Sequence, residues 1–375
     1  MNRVFLLSLA FILAIGFGCS DDKADKNPVG PGSSSGLAVV STGGDNESNL
    51  AVIDYINNKA WIDLLPLSST VELAQYGGYV YILDKDGDRI IKFDPTTRTA
   101  LFDLGTGPNS APESIAFLSA TKAYVTMSDS ATVKVINPSN MRVLKSISLA
   151  SLADADGDPD QGNAVIRDGK VYVALRRSSG SKLTDHSGIA VIDAAADTLI
   201  GEIRLATNGI AGANKHSLGG DPHGSTVVTG TIYAYIIGSV SKATDGGIES
   251  IAPGSMETVS IMSETQIGGN ISNWVFDTPT TGWAMVGLST TSGGEGWGLR
   301  RFDLTAGTFT AVSDFQKSAY CWALDFTDEG LVLTGSQDEN NPGVWVYDSK
   351  NAYKPLFEKP INTGLIPKRI IVVRG

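Results

Sequence analysis

The stretch VYILDKDGDRIIKFDPT, residues 80–96, carries the pattern on which the fold of this chain rests. Two apolar runs, VYIL and IIKF, flank the polar segment DKDGDR. Asp and Gly between two apolar runs favour a tight turn that joins antiparallel strands. The stretch therefore predicts a β-hairpin.

Copies of this hairpin recur along the chain, and each copy ends in an apolar strand followed by a polar or turn residue. These marker positions lie between 40 and 59 residues apart and are Asp54, Asp94, Asn137, Asp193, Ala252, Asp303 and Asp348. Each unit adds one strand after the hairpin and one before the next. Seven four-stranded units of this length predict an all-β fold, a seven-bladed β-propeller.

The carboxyl-terminal segment KRIIVVR, residues 368–374, is a strand that the seventh unit does not need. The first unit begins near Leu37 and has no strand before its hairpin. We expect the last strand to complete the first blade, because this closes the ring and removes two open sheet edges. The predicted propeller domain spans residues 37–375.

The repeats resemble the YVTN family of propellers, the YncE-like proteins. The matching pieces are VYV at residues 171–173, IAVID at residues 189–193 and DPHG at residues 221–224. The resemblance implies the propeller fold and leaves the activity open, since propellers host many unrelated functions. The fifth unit departs most from the pattern, because Ala252 stands where the other units have Asp or Asn.

The amino terminus, residues 1–18, predicts a signal peptide with an uncharged run of about 14 residues, too short to span a membrane. Its end resembles the lipobox of bacterial lipoproteins at Gly18 and Cys19, whereas Gly16 and Phe17 depart from that motif. The resemblance implies lipidation of Cys19, and an ordinary secretory signal is the alternative. The segment SDD that follows resembles the export signal of surface lipoproteins of the Bacteroidota, so we expect an outer-membrane, surface-exposed protein or, alternatively, a periplasm-facing one.

Residues 19–36 are rich in Asp, Asn, Pro, Gly and Ser, a composition that predicts a flexible tether. The whole chain has a formal net charge of -11 and no basic run, which argues against nucleic acid as a partner. Its 2 Cys exclude a disulfide framework and a Cys-rich metal site.

We label the strands of each blade A to D from the centre outward. The A–B and C–D connections are predicted to be short throughout, and the B–C and D–A connections, which share one face of a propeller, are long. We call this the long-loop face, and we expect it to be the binding surface. Its longest loops, residues 152–163, 176–188 and 207–225, contain all 3 His of the chain.

Four carboxylates alternate in the first of these loops, at Asp154, Asp156, Asp158 and Asp160. Closely spaced oxygen ligands suit a calcium ion, although the spacing does not fit an EF-hand. A solvated acidic loop is the alternative. No sequence pattern of a His-based metal site is present.

We expect a ligand to contact residues at the channel ends of the inner strands and in the long loops. These candidate ligand-binding residues are Glu72, Glu113, Asn163, Arg176, His186, His216, His223, Asn273, Trp297, Tyr320, Trp322 and Arg369. Their mixture of polar, charged and aromatic side chains suits a polar ligand with some flat apolar surface.

Two classes of function follow. The chain resembles substrate-capture lipoproteins that sit beside TonB-dependent outer-membrane transporters, including cobamide binders, which implies a small-molecule ligand or a protein partner and no reaction. The alternative is a metal-dependent lactonase whose metal would be held by Glu72, Glu113, Asn163, His223 and Asn273. No catalytic motif in the sequence favours the enzyme.

Overall fold

The computed structural model describes residues 34–43, 48–179, 182–183, 186–207, 218–237, 245–289, 295–315 and 323–375. All of them belong to one unit, Pro31–Gly375. The predicted signal peptide, Cys19 and most of the tether lie outside the described residues.

The strands follow one another blade by blade. Blade 1 contains β1 (Ser34–Gly43), β2 (Ser48–Asp54), β3 (Lys59–Trp61) and β4 (Pro66–Leu67). Blade 2 contains β5 (Val71–Tyr76), β6 (Tyr79–Asp84), β7 (Arg89–Asp94) and β8 (Thr99–Gly105). Blade 3 contains β9 (Pro112–Ser119), β10 (Lys122–Met127), β11 (Thr132–Asn137) and β12 (Arg142–Ser148). Blade 4 contains β13 (Gln161–Arg167), β14 (Lys170–Leu175), the small hairpin β15 (Ser178–Ser179) and β16 (Lys182–Leu183), β17 (Gly188–Asp193) and β18 (Thr198–Arg204).

Blade 5 contains β19 (Leu218–Gly219), β20 (Ile232–Ile236), β21 (Gly247–Ile251) and β22 (Val259–Ser263). Blade 6 contains β23 (Gly269–Phe276), β24 (Thr281–Ser289), β25 (Glu295–Asp303) and β26 (Thr308–Phe315). Blade 7 contains β27 (Leu324–Phe326), β28 (Leu331–Ser336), β29 (Gly343–Asp348), β30 (Lys354–Pro355) and β31 (Ile361–Asn362), and the last strand is β32 (Ile366–Arg374). The described helices are one 3-10 turn, Ala150–Leu152, and α1 (Glu264–Ile267).

The blades are seven antiparallel sheets arranged in a ring, so the prediction of a seven-bladed propeller is confirmed. The first sheet has the order β3-β2-β1-β32, with Val39 of β1 opposite Ile371 of β32. The carboxyl-terminal strand is therefore the innermost strand of blade 1, as predicted. Because β1 and β32 come from opposite ends of the chain, their ladder of hydrogen bonds closes the ring.

Both faces of every blade are buried, because each blade packs between two others. In β6, Ile82 belongs to the hydrophobic cluster shared with blade 1, whereas Leu83 belongs to the cluster shared with blade 3. Seven such clusters fill the seven spaces between neighbouring blades in the described part of the chain. Successive side chains of a strand point to opposite faces, and two buried faces therefore require the continuous apolar runs seen in the sequence.

The recurring Asp at the end of strand C has a local structural role. Asp54 Oδ1 accepts hydrogen bonds from the backbone N–H groups of Ile56 (3.1 Å) and Asn57 (2.8 Å), which forms the C–D turn. The equivalent residues Asp94, Asp193 and Asp303 each accept two backbone hydrogen bonds in the same way.

Blade 5 has an Ala at this position and stabilises its C–D turn differently. The fully buried Arg167 donates hydrogen bonds to the carbonyl groups of Ile251 (2.7 Å) and Ala252 (3.1 Å). A side chain from blade 4 therefore holds the turn that Asp holds elsewhere.

Blade 5 also differs from the prediction at its inner strand. The pattern of the repeats predicts that strand at STVVTG, residues 225–230, but the structure places it at Leu218–Gly219. Residues 220–231 then form a long A–B connection, so these connections are not short throughout. Within it, residues 221–228, which we call the plug, cross the channel on the face of the A–B and C–D turns, the short-turn face.

Hydrogen bonds to the ends of three inner strands hold the plug. The Ile166 N–H donates to the carbonyl oxygen of Thr226 (2.8 Å), and the Phe117 N–H donates to its hydroxyl oxygen (3.1 Å). The His223 N–H donates to the carbonyl oxygen of Phe276 (2.7 Å). Because blades 3, 4 and 6 supply these partners, the plug closes one end of the channel.

Candidate functional site

The central channel is narrow. Its cavity has a volume of about 60 Å³ and extends from Glu72, Glu113 and Asn163 to the plug residues Asp221 and Thr226. One water molecule occupies about 30 Å³ of liquid, so this space admits about two waters. An organic ligand at the open end must therefore lie above the channel, against the loops of the long-loop face.

A buried ion pair stands at the open end of the channel. Arg369 of β32 donates from Nε to Glu72 Oε2 (2.7 Å) and from Nη2 to Glu72 Oε1 (2.5 Å). Burial disfavours the charged guanidinium, but the Glu72 carboxylate outweighs that effect and raises the pKa of Arg369 above its ordinary value. This bidentate pair ties blade 1 to blade 2.

Glu113 is the second buried carboxylate at the open end, and two B–C connections bring cations to it. Lys85, in the connection of blade 2, forms an ion pair with Glu113, and Arg176 Nη2, from the connection of blade 4, lies 3.6 Å from its Oε2. The Glu113 carboxylate also favours the charged form of Arg369. We call these four residues, together with Glu72, the mouth network.

Two further candidates lie in inner strands. The Asn163 side chain pairs with the backbone of Leu218: its Nδ2 donates to the carbonyl oxygen and its Oδ1 accepts from the N–H, both at 3.0 Å. These two hydrogen bonds therefore link the inner strands of blades 4 and 5. Asn273 is buried in β23. Ligand contact by either residue stays a prediction.

The three His residues do not form one described group. His186 lies at the end of the B–C connection of blade 4, on the long-loop face, and His216 lies outside the described residues. His223 was expected at the channel end of an inner strand on that face. Instead it lies in the plug, on the opposite face, with Nδ1 2.7 Å from Asp328 Oδ1. The ligand set proposed for a lactonase metal is therefore divided between the two faces.

Among the aromatic candidates, Trp297 was expected in a loop, but it lies within β25. Its buried ring packs against Gly287 and belongs to the cluster between blades 6 and 7. Tyr320 and Trp322 lie outside the described residues.

The acidic loop uses its carboxylates to order its own backbone. Asp154, Asp156 and Asp158 each accept a hydrogen bond from the backbone N–H two residues further on, at 3.0–3.2 Å. Burial raises the pKa of Asp158 to about 6 and also raises that of Asp160. In the part of the chain that the structure describes, no three His, Cys, Asp or Glu side chains form a metal-ligand group. Calcium binding by this loop stays a prediction.

Lys85 was not among the predicted site residues, because the sequence DKDGD reads as turn chemistry alone. Whether the Lys85 side chain points toward the channel depends on how blades 2 and 3 pack against each other. The local sequence does not contain that information. The usable signal was a lone Lys between two Asp, in a turn that otherwise needs no long side chain.

No described helix is long and apolar enough to cross a membrane.

Several solved structures share this architecture. Hydrazine synthase from Kuenenia stuttgartiensis superimposes with a TM-score of 0.55 at 14% identity, covering 74% of this chain and 75% of that one. AztD from Citrobacter koseri gives a TM-score of 0.54 at 11% identity and 90% and 97% coverage. A provisionally named 6-phosphogluconolactonase from Bacteroides fragilis gives 0.54 at 13% identity and 89% and 96% coverage.

The sequence matches no protein-family model, and a search of curated proteins returned no match. At identities this low the solved structures inform on the fold alone. Together with the seven sheets and the closing strand, they identify the chain as a seven-bladed β-propeller.

Proposed function

We propose that this protein captures a polar small molecule at the mouth network, on the long-loop face, without transforming it. The observation that supports this most is the group of buried charges that the B–C connections of blades 2 and 4 close over the channel end. Charged side chains removed from water beside a cavity are typical of binding sites. Lys85 and Arg176 suit acceptor groups of a ligand, and Glu113 suits its donors.

The ion pairs of Glu72 and Glu113 favour ligand binding over metal-dependent hydrolysis. Both Glu72 and Glu113 are already neutralised by Arg or Lys side chains, which a metal ion would have to displace. His223, the imidazole of the lactonase ligand set, lies on the other face of the propeller. We therefore propose no hydrolase.

The location that we propose is the outer membrane, with Cys19 as the lipid anchor and residues 19–36 as a tether. The proposed partner is a TonB-dependent transporter, to which the propeller would deliver its ligand. The location rests on the lipobox-like sequence and on the SDD segment that follows Cys19, and the partner rests on the resemblance to substrate-capture lipoproteins that sit beside such transporters. Labelling cells with radioactive palmitate tests the anchor: the full chain should take up label, and Cys19→Ser should not. Equal labelling of both would contradict it.

A titration tests the capture function, with cyanocobalamin as the first probe. We expect saturable binding by the full chain and a loss of about tenfold in affinity in Lys85→Gln, because Glu113 then loses its closest partner. Lys59→Gln is the matched control, since Lys59 is exposed at the start of β3, directly after the C–D turn on the short-turn face. Absence of binding, or equal affinities in Lys85→Gln and wild type, would contradict the proposal for this ligand class.

A further inference from the structure

We propose that a second cavity, on the short-turn face, binds a small acid that carries hydroxyl groups. This cavity, which we call the short-turn pocket, has a volume of about 460 Å³ and lies between the turns of blades 6 and 7 and the plug. Pockets for organic ligands have volumes of about 300–1,000 Å³. The inference is independent of the capture function proposed for the opposite face.

One end of the short-turn pocket suits an anion. Arg301 Nη2 donates to Asp277 Oδ2 (2.8 Å), and the guanidinium stacks on Trp283 at 4.3 Å from the ring centre. Its Nη1 is shielded from solvent and makes no hydrogen bond within the described residues. Lys350 also lines this pocket, and its side chain forms no ion pair with any residue that the structure describes. A carboxylate or phosphate bound here would satisfy both cations.

The other end suits a hydrogen-bond donor. Asp328 Oδ1 lies 2.7 Å from His223 Nδ1, without the alignment of a strong hydrogen bond. Oδ2 of the same carboxylate is shielded and accepts no hydrogen bond within the described part of the chain. A buried acceptor without a donor destabilises the folded protein, and a ligand hydroxyl would supply the donor. A hydroxyl fits better than an ammonium here, because His223 already faces this carboxylate.

Aromatic side chains form the wall between the two ends. Trp283 Nε1 donates to the hydroxyl of Tyr353 (3.1 Å), and the ring of Phe326 lies 5.0 Å from that of Trp283. The aromatic edges of this wall suit the C–H groups of a sugar ring.

Isothermal titration calorimetry of the full chain tests the pocket, with D-glucuronate as the probe. D-glucose 6-phosphate distinguishes a phosphate from a carboxylate as the anion. D-glucose lacks the anion and acetate lacks the hydroxyls, so we expect each to bind at least about tenfold more weakly than the better of the two acids. No saturable heat with either acid overturns the proposal, and acetate binding as tightly as the acids overturns the role of Asp328.

Two variants place the binding in this pocket. Asp328→Asn should weaken the better acid about tenfold, because the ligand hydroxyl then meets a neutral amide in place of a charged carboxylate acceptor. Lys350→Gln should weaken it about two- to fivefold, as expected for an exposed cation. Lys354→Gln, an exposed lysine of the same blade outside the pocket lining, should leave affinity unchanged. Unchanged affinity in both Lys350→Gln and Asp328→Asn would show that the acid does not bind in this pocket. If Asp328→Asn does not fold, Lys350→Gln alone decides the question.

Discussion

We expect the free energy of unfolding to fall substantially when the ion pair between Arg369 and Glu72 is broken, because this pair ties the blade that closes the ring to blade 2. It joins residues 297 positions apart, and both side chains are nearly inaccessible, at 10% exposure for Arg369 and 4% for Glu72. Replacing Glu72 with Leu leaves the guanidinium buried without its bidentate partner, a change that typically costs about 3–5 kcal/mol. Because the Glu113 carboxylate also stabilises the charged Arg369, we expect the lower end, about 3 kcal/mol.

Urea unfolding, followed by both tryptophan fluorescence and far-UV circular dichroism, measures this cost, provided that the two signals show one transition. The double variant Glu72→Leu with Arg369→Met should recover to within about 1 kcal/mol of wild type, because no buried charge remains unpaired. Asp103→Asn is the matched control. It breaks the exposed pair with Arg89 (3.2 Å) and should cost at most about 1 kcal/mol.

The reasoning is refuted if Glu72→Leu costs no more than Asp103→Asn. It is also refuted if the stability lost in the double variant equals the sum of the losses in Glu72→Leu alone and Arg369→Met alone. The two residues would then show no energetic coupling.

Two other predictions concern the acidic loop and the backbone of blade 6. Burial raises the pKa of Asp158 to about 6, so its charged form destabilises the folded state increasingly as pH rises from about 4 towards 6 and above. Asp158→Asn should therefore be more stable than wild type by about 1 kcal/mol at pH 7 and equal to it near pH 4, as read from urea midpoints. A calcium-induced rise in the wild-type midpoint that is lost in this variant would instead assign the loop to calcium. Gly269 has a φ of 151°, and an added Cβ would lie 1.7 Å from the Gly287 carbonyl oxygen, so Gly269→Ala should cost more than about 3 kcal/mol. Gly77→Ala, at a φ of 58° with open space around it, should cost only about 1 kcal/mol, and equal losses in the two variants would contradict the steric argument.

The mouth network shows how far the sequence leads toward a site. Glu72, Glu113 and Arg369 were predicted as candidates because the repeat defines which strand ends face the channel, and Arg176 was predicted from its place in a long loop. The pairing of Glu72 with Arg369 was not predictable, since it depends on the angle between neighbouring blades. Lys85 was missed for the same reason.

The plug is the largest departure from the prediction. Residues 225–230 have the β-branched composition of a strand, and Thr226 and Val228 do make backbone hydrogen bonds, but to Ile166 at the end of the inner strand of blade 4. Local composition reports that a segment is apolar and extended, and not which partner it pairs with. His223 therefore lies on the short-turn face, next to Asp328, whereas it was predicted on the long-loop face.

The sequence by itself determined the number of blades, the closure by the last strand and the turns that Asp54 and its equivalents hold. The blade number and the turns are local and repeated, so each depends on the side chains of one hairpin and on the alternation of faces along a strand. The closure follows from the strand count, because the first unit lacks one strand and the last strand supplies it. Only the tertiary structure decided that Arg167 replaces the missing Asp of blade 5, that the plug closes the channel and that Arg301 and Asp328 share one pocket. Each of these joins residues from different blades, and such contacts follow from how the blades pack rather than from any one stretch of sequence.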